Sequence, residues 1–208
     1  MTGTTAQRTR LPRAERERQV LGAARALFAE RGYGAVTMDD VAAAVGVTKP
    51  LLYIYFGNKE RLYLACMEPA AEGLREAVAD AVAEAERPPD ALALGVQAFF
   101  SFVDRDRDAW RVLFDETLPA GGEVARRVAE HREQLEAVVT ELVVARLPTR
   151  RRGRAVVEAQ ALSTALLGAA ESLARWWLRT GRLSAGQAAE LLIDTVEPGL
   201  RARTTGEA

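Results

Sequence analysis

The chain has 208 residues, of which 49% are apolar and 27% charged, so a sizeable core needs no disulfide or metal staple. A single cysteine excludes an internal disulfide, and no apolar run approaches the ~20 residues of a membrane span, so a reducing, cytoplasmic setting is expected. The net charge of −1 hides an asymmetry: residues 1–63 hold ten Lys/Arg against six Asp/Glu, whereas residues 64–208 hold 18 against 23. A basic front end on an acidic body points to a polyanion met by the front end alone.

Apolar residues recur with the helical period almost throughout, and no stretch reads as a strand, so the expected fold is all-α with about nine helices. Residues 1–12 read as a basic arm, whose Arg8 and Arg10, with Arg13, Arg16 and Arg18 beyond it, suit either a minor groove or a solvated terminus. Helix one spans about Arg13–Arg31, with Val20, Ala23, Ala24, Leu27 and Phe28 as its stripe and Gly32 as its stop. Thr37 to Asp40 reads as a capping box that opens helix two, with Val41, Ala44 and Val45 facing inward and Gly46 as its end. Thr48 is the expected N-cap of helix three, Pro50 sits in its first turn, and Leu52 and Phe56 anchor it. Gly57 stops that helix and Asn58 caps a fourth, with a bend expected at Pro69.

The later helices are longer. They are expected over about Asp90–Val103, Trp110–Asp115, Gly122–Leu147, Arg152–Arg179 and Ala185–Glu197, the last interrupted at Pro198-Gly199. The run 149–154 is the densest basic cluster and reads as a solvated loop or a second polyanion contact.

Helix two, the Gly46 turn and helix three have the spacing of a helix-turn-helix, whose second helix lies in a major groove. The chain's only two lysines, Lys49 and Lys59, flank this helix. Lys49 opposes the helix dipole, a conflict that an anion or a guanine edge would relieve. Tyr53 and Tyr55 offer hydroxyls suited to phosphate, and Lys59 stands at a helix N-terminus that also attracts phosphate.

From about Arg18 to Leu62 the sequence resembles the DNA-binding domain of the tetracycline-repressor-like (TetR) family of bacterial transcription regulators. The resemblance rests on Ala23-Ala24, Leu27-Phe28, Glu30 to Tyr33, Thr37, Val41-Ala42, Val45 to Thr48, Leu52-Tyr53, Phe56, Asn58 to Glu60 and Leu62. It implies a DNA-binding domain over 13–62 and an effector-binding and dimerisation domain over 63–208. It implies that Thr37 grips a phosphate, that Thr48, Lys49, Pro50 and Leu51 face the major groove, and that Tyr53, Tyr55 and Lys59 hold the backbone. Ile54 stands where many relatives have a polar or cationic residue, which shifts base reading toward thymine methyls, with Lys49 as the main donor.

The same resemblance implies a homodimer through the last two long helices, reading a palindromic operator in double-stranded DNA, and a largely apolar effector. Val156, Ala159, Leu162, Ser163, Leu166, Leu167, Leu191, Leu192 and Val196 form apolar or small-residue stripes there, which the sequence cannot divide between dimer and core. Phe99, Phe102, Trp110, Phe114 and Trp176 are candidate effector walls, and Cys66, Met67, His131, Gln160, Glu171 and Arg175 candidate polar or soft contacts, although an aromatic stripe at helical spacing is more often core. The function implied is a transcriptional repressor released by its effector, with activation also open.

An enzyme or a protein-interaction module is the alternative. One histidine and one cysteine leave little for catalytic triads or metal ligation, residue 128 is Val and not the Glu of a Glu-x-x-His pair, and no glycine-rich phosphate loop occurs. No catalytic residue, metal or cofactor is expected.

Overall fold

The computed structural model describes residues 12–146 and 152–205, and among them nine α-helices and no strand. The helices are α1 (Arg13–Ala35), α2 (Met38–Val45), α3 (Lys49–Phe56), α4 (Lys59–Ala83), α5 (Pro88–Arg105), α6 (Arg107–Leu113), α7 (Glu123–Arg146), α8 (Arg152–Thr180) and α9 (Ala185–Thr205). Residues 1–11, with Arg8 and Arg10, lie outside the described residues, as do the side chains of the 149–154 cluster.

Each boundary near the front end follows from a local rule. Gly32 leaves helical geometry at φ 76°, ψ 161°, and α1 kinks there. Thr37 and Asp40 form the expected capping box, and Gly46 closes α2 in the left-handed region at φ 69°. Asn58 caps α4 by accepting from the Arg61 N–H at 2.8 Å. The inward face of α2 differs from expectation: Ala42 is buried and Ala44 exposed, because Met38, Val41 and Ala42 form the stripe that meets α1.

Val20, Ala24, Phe28, Val36, Val41, Leu52 and Leu62 are all essentially inaccessible and knit α1 to α4 together. The core continues without a break along α4, through Tyr63, Met67, Leu74 and Val78, into the body. Thus α4 passes intact through the expected boundary between 62 and 63, and Pro69 lies inside it. In the body α4 packs on α5 and α7, α5 on α9, and α7 on α8.

The helix α9 runs through Pro198-Gly199 to Thr205, where an interruption was expected. Pro198 is exposed. The carbonyl four residues earlier, left without a helix donor, can turn to water, which lowers the cost of a proline inside a helix. Among the described residues, no helix is long and apolar enough to cross a membrane.

Candidate nucleic-acid interface and effector cavity

The helix α3 lies on the surface. Leu52 is its only fully buried residue, while Thr48, Lys49, Pro50, Tyr53 and Ile54 are exposed and Leu51 is half-buried. Tyr53 is 45% and Ile54 70% exposed, unusual for such residues without a partner surface. Thr48 occupies the N-cap position but its side chain makes no cap hydrogen bond. The hydroxyl is therefore not spent on the helix, whereas Pro50 has no N–H and the Leu51 N–H already donates to the Thr48 carbonyl at 3.0 Å.

The other expected contacts fall on the same side, with different degrees of engagement. The Thr37 hydroxyl accepts from the Asp40 N–H at 3.2 Å and donates to the Asp40 carboxylate at 2.5 Å, while the Thr37 N–H donates to that carboxylate at 2.8 Å. These bonds hold the Asp40 carboxyl below its ordinary range. Tyr55 is half-buried against Phe56 at 6.3 Å, with the Arg13 guanidinium 5.3 Å from its ring centre.

Lys59 packs its ammonium over the Tyr33 ring at 4.2 Å. Burial lowers its pKa, an effect that Asp115 and Asp40 oppose. Lys49 reaches back across the turn and donates to Asp39 Oδ2 at 2.6 Å, and that hydrogen bond raises its pKa. Asp39 is a residue that sequence reasoning passed over, because a first-turn acid on α2 needs no explanation beyond the helix dipole.

In the body, the expected wall residues separate. Phe99 lines an apolar cavity of about 30 Å³ between α4, α5, α7 and α8, with Val78, Leu135, Val139, Leu166 and Ala170 around it. Phe114 lines a second cavity of about 30 Å³ with Met67, Leu74, His131, Arg132 and Leu135. Trp110 is buried between the two phenylalanines, with ring centres 5.5 Å from Phe99 and 3.8 Å from Phe114. Phe102 is buried and would touch any side chain placed at Gly73. Trp176 is exposed and lines neither cavity, whereas its neighbour Trp177 is buried and donates from Nε1 to the Leu183 carbonyl at 2.7 Å.

The second cavity carries the polar chemistry. His131 Nε2 is buried and has no hydrogen-bond partner among the described residues. The Arg132 guanidinium lies 5.6 Å from the Phe114 ring centre and is bonded to the buried Glu171 of α8. Leu135 is the wall shared with the apolar cavity. An open groove of about 590 Å³, rimmed by Glu86 and Glu141, adjoins the apolar cavity across Val82, Val138 and Leu142. Of the other polar or soft contacts expected, Cys66 is buried beneath α1, Gln160 is exposed, and Arg175 pairs with Glu116. Burial pushes the Cys66 thiol up to about 12.

Cavity and reading head are tied by the segment after α6. Asp115 accepts from the Tyr33 N–H at 2.5 Å, and the Thr117 hydroxyl accepts from the Gly34 N–H at 3.1 Å. A side chain at Gly32 would place its Cβ 2.6 Å from Thr117 Oγ1, so the close approach needs glycine as much as the positive φ does. The buried Tyr63 hydroxyl donates to the Val112 carbonyl, and Arg25 pairs with Asp106 at 2.9 Å. Phe114 thus touches the polar cavity while its neighbour Asp115 holds the end of α1.

Comparison with known proteins agrees with this geometry. Residues 20–66 match the model of bacterial regulatory proteins of the tetR family, and residues 85–200 that of the tetracyclin repressor-like C-terminal domain. The chain is 33% identical over 173 residues to the HTH-type transcriptional activator FasR of Mycolicibacterium smegmatis, a match spanning 83% of this chain and 77% of that one. A TetR-like transcriptional regulator from Rhodococcus sp. RHA1 shares the structure with a TM-score of 0.76 at 30% identity, over 92% of this chain and 99% of that one. AibR, in complex with isovaleryl coenzyme A and operator DNA, has a TM-score of 0.70 at 24% identity, over 86% of this chain and 96% of its own, a likeness of fold.

Proposed function

From one premise, that the chain belongs to the tetR family of bacterial regulatory proteins and is a helix-turn-helix transcriptional regulator and not an enzyme, we propose that it works as a homodimeric repressor. It binds a palindromic operator in double-stranded DNA and leaves it when a small amphipathic effector enters the body. The observation that carries the reading is α3, with Leu52 as its only fully buried residue and Tyr53 and Ile54 turned to solvent beside Lys49 and Thr48. In this reading Thr48, Lys49, Pro50, Leu51 and Ile54 meet base edges, and Thr37, Tyr53, Tyr55 and Lys59 position the backbone.

Two copies are needed because half-sites on one face of DNA recur every ~34–36 Å. Val156, Val157 and Trp176 on α8 and Leu191 on α9 are exposed, and they supply the apolar area for a second copy. Ala159, Ser163, Leu166 and Leu192 are buried within the chain itself, which supports giving the dimer contact to the outward residues.

The effector places an apolar body in the space between α4, α5, α7 and α8 and a hydrogen-bonding end at His131 and Arg132. Each cavity is far below the ~300 Å³ or more of a ligand site, so binding requires Leu135 and its neighbours to yield. An effector that binds only the opened body weakens DNA binding by the same factor that DNA weakens effector binding. Repression follows where the operator overlaps a promoter. FasR is named an activator, and the same docking upstream of a promoter favours that second outcome.

Selection of bound duplexes from a random pool tests the reading, alongside sedimentation of the protein with and without the selected DNA. A two-fold symmetric site bound by a dimer is expected; a monomer, or a pool with no enriched sequence, rejects it.

A further inference from the structure

The interface contains an acid where phosphates are expected. Asp39 is 67% exposed and sits against the N-terminal end of α3, the end that enters a groove. A carboxylate there repels DNA backbone and cancels the charge of Lys49, one of only two lysines in the chain. As a brace between α2 and α3 it does little, because solvent-exposed ion pairs contribute almost nothing to stability. The arrangement makes chemical sense if the two groups read DNA together.

We propose, resting on the DNA-binding reading above, that Lys49 and Asp39 form a composite reader of a single C·G base pair in each half-site. In the major groove guanine presents two acceptors, N7 and O6, and cytosine presents the N4 amino donor directly beside them. Lys49 Nζ and Asp39 Oδ2, 2.6 Å apart, present a donor group and an acceptor group side by side. Lysine has three N–H donors and a carboxylate about four lone-pair sites, so the mutual bond survives while Nζ donates to guanine and Asp39 accepts from cytosine N4. Asp39 is then a specificity-determining residue. It lowers affinity for DNA in general and returns part of that loss only where cytosine stands. An A·T pair has its two acceptors, adenine N7 and thymine O4, on opposite sides of the adenine amino group, so Lys49 finds no adjacent acceptor pair there and the fit is poorer.

The test uses the full-length protein and the operator from random-pool selection, with every half-site position changed to each of the four base pairs and binding read by fluorescence anisotropy. The parent is expected to prefer C·G at one symmetric position by about 5- to 100-fold. Asp39→Ala loses that preference at that position alone, binds unrelated DNA more tightly, and shows a salt slope steeper by about one as Lys49 turns to a phosphate. Asp39→Asn, which keeps the size of the side chain, moves the preference toward adenine. Thermal midpoints of the two variants distinguish lost reading from lost folding.

A drop in affinity that is equal for all bases marks Asp39 as a structural brace and overturns the inference, as does an unchanged preference in both variants. A parent that selects no sequence at all overturns the regulator reading as well. Sequence-selective binding without a C·G position dependent on Asp39 overturns only this one.

Discussion

At the scale of single residues, partners decide what a side chain offers to DNA. Lys49 and Lys59 look alike in sequence, yet one is bonded to Asp39 and the other packed over Tyr33. Lys49→Ala is expected to relax base preference, and Lys59→Ala to weaken binding evenly across operators; a binding matrix in which both act alike rejects that division. The capping residues make a second prediction. Because the folded Asp40 carboxyl titrates below its ordinary value, its contribution is complete above that value, near pH 4, and is lost as pH falls through the folded one. Thr37→Ala should cost about 0.5–2 kcal/mol at neutral pH, and the gap to the parent should narrow as denaturation is followed below about pH 4. Cys66, buried and with its thiol pushed up to about 12, should resist alkylation at neutral pH until the chain unfolds. Rapid labelling of the folded protein contradicts that burial.

At the scale of elements, the end of α1 and the segment after α6 act as one latch. Gly32→Ala meets both a positive φ and the Thr117 hydroxyl, so destabilisation of about 1–3 kcal/mol is expected, read as a lowered thermal midpoint. An unchanged midpoint would mean that the Thr117 contact is dispensable. Leu135 lies between the apolar and the polar cavity. Leu135→Phe fills both, and it should abolish release of DNA by effector while operator binding persists. Loss of both together would mean that the substitution disturbs α7 and not the effector space. Much at this scale was legible in sequence. The capping box at Thr37, the left-handed Gly46, the stop at Gly57 and the cap at Asn58 depend on neighbours within a few residues. The continuation of α9 through Pro198 was not legible, because it depends on whether the far side of that turn faces water.

At the scale of the whole molecule, α4 is the member common to the reading head and the body, with one face buried from Leu62 to Val78. In the proposed switch, a displacement of α7 or α6 passes along α4, or through the Asp115 contact to Tyr33 on α1, toward α2 and α3. Leu191 is 51% and Val157 65% exposed, so Leu191→Glu or Val157→Arg should leave helicity intact while shifting the protein to monomer in sedimentation. Operator affinity should fall by 10-fold or more, on the order expected when a second half-site is lost. A charged variant that stays dimeric would move the interface elsewhere.

The order of turns and caps, the helix-turn-helix, and the placement of its tyrosines and lysines were determined by sequence alone, because these rest on backbone rules and spacings that act over a few residues. Tertiary structure alone decided that Asp39 holds Lys49, that Trp177 and not Trp176 is interior, that α8 splits into an inward and an outward face, and that His131 Nε2 is buried beside Arg132. The reason is physical: one helical turn rotates a side chain from core to solvent, and which face is covered depends on helices distant in the chain. No local pattern contains that information.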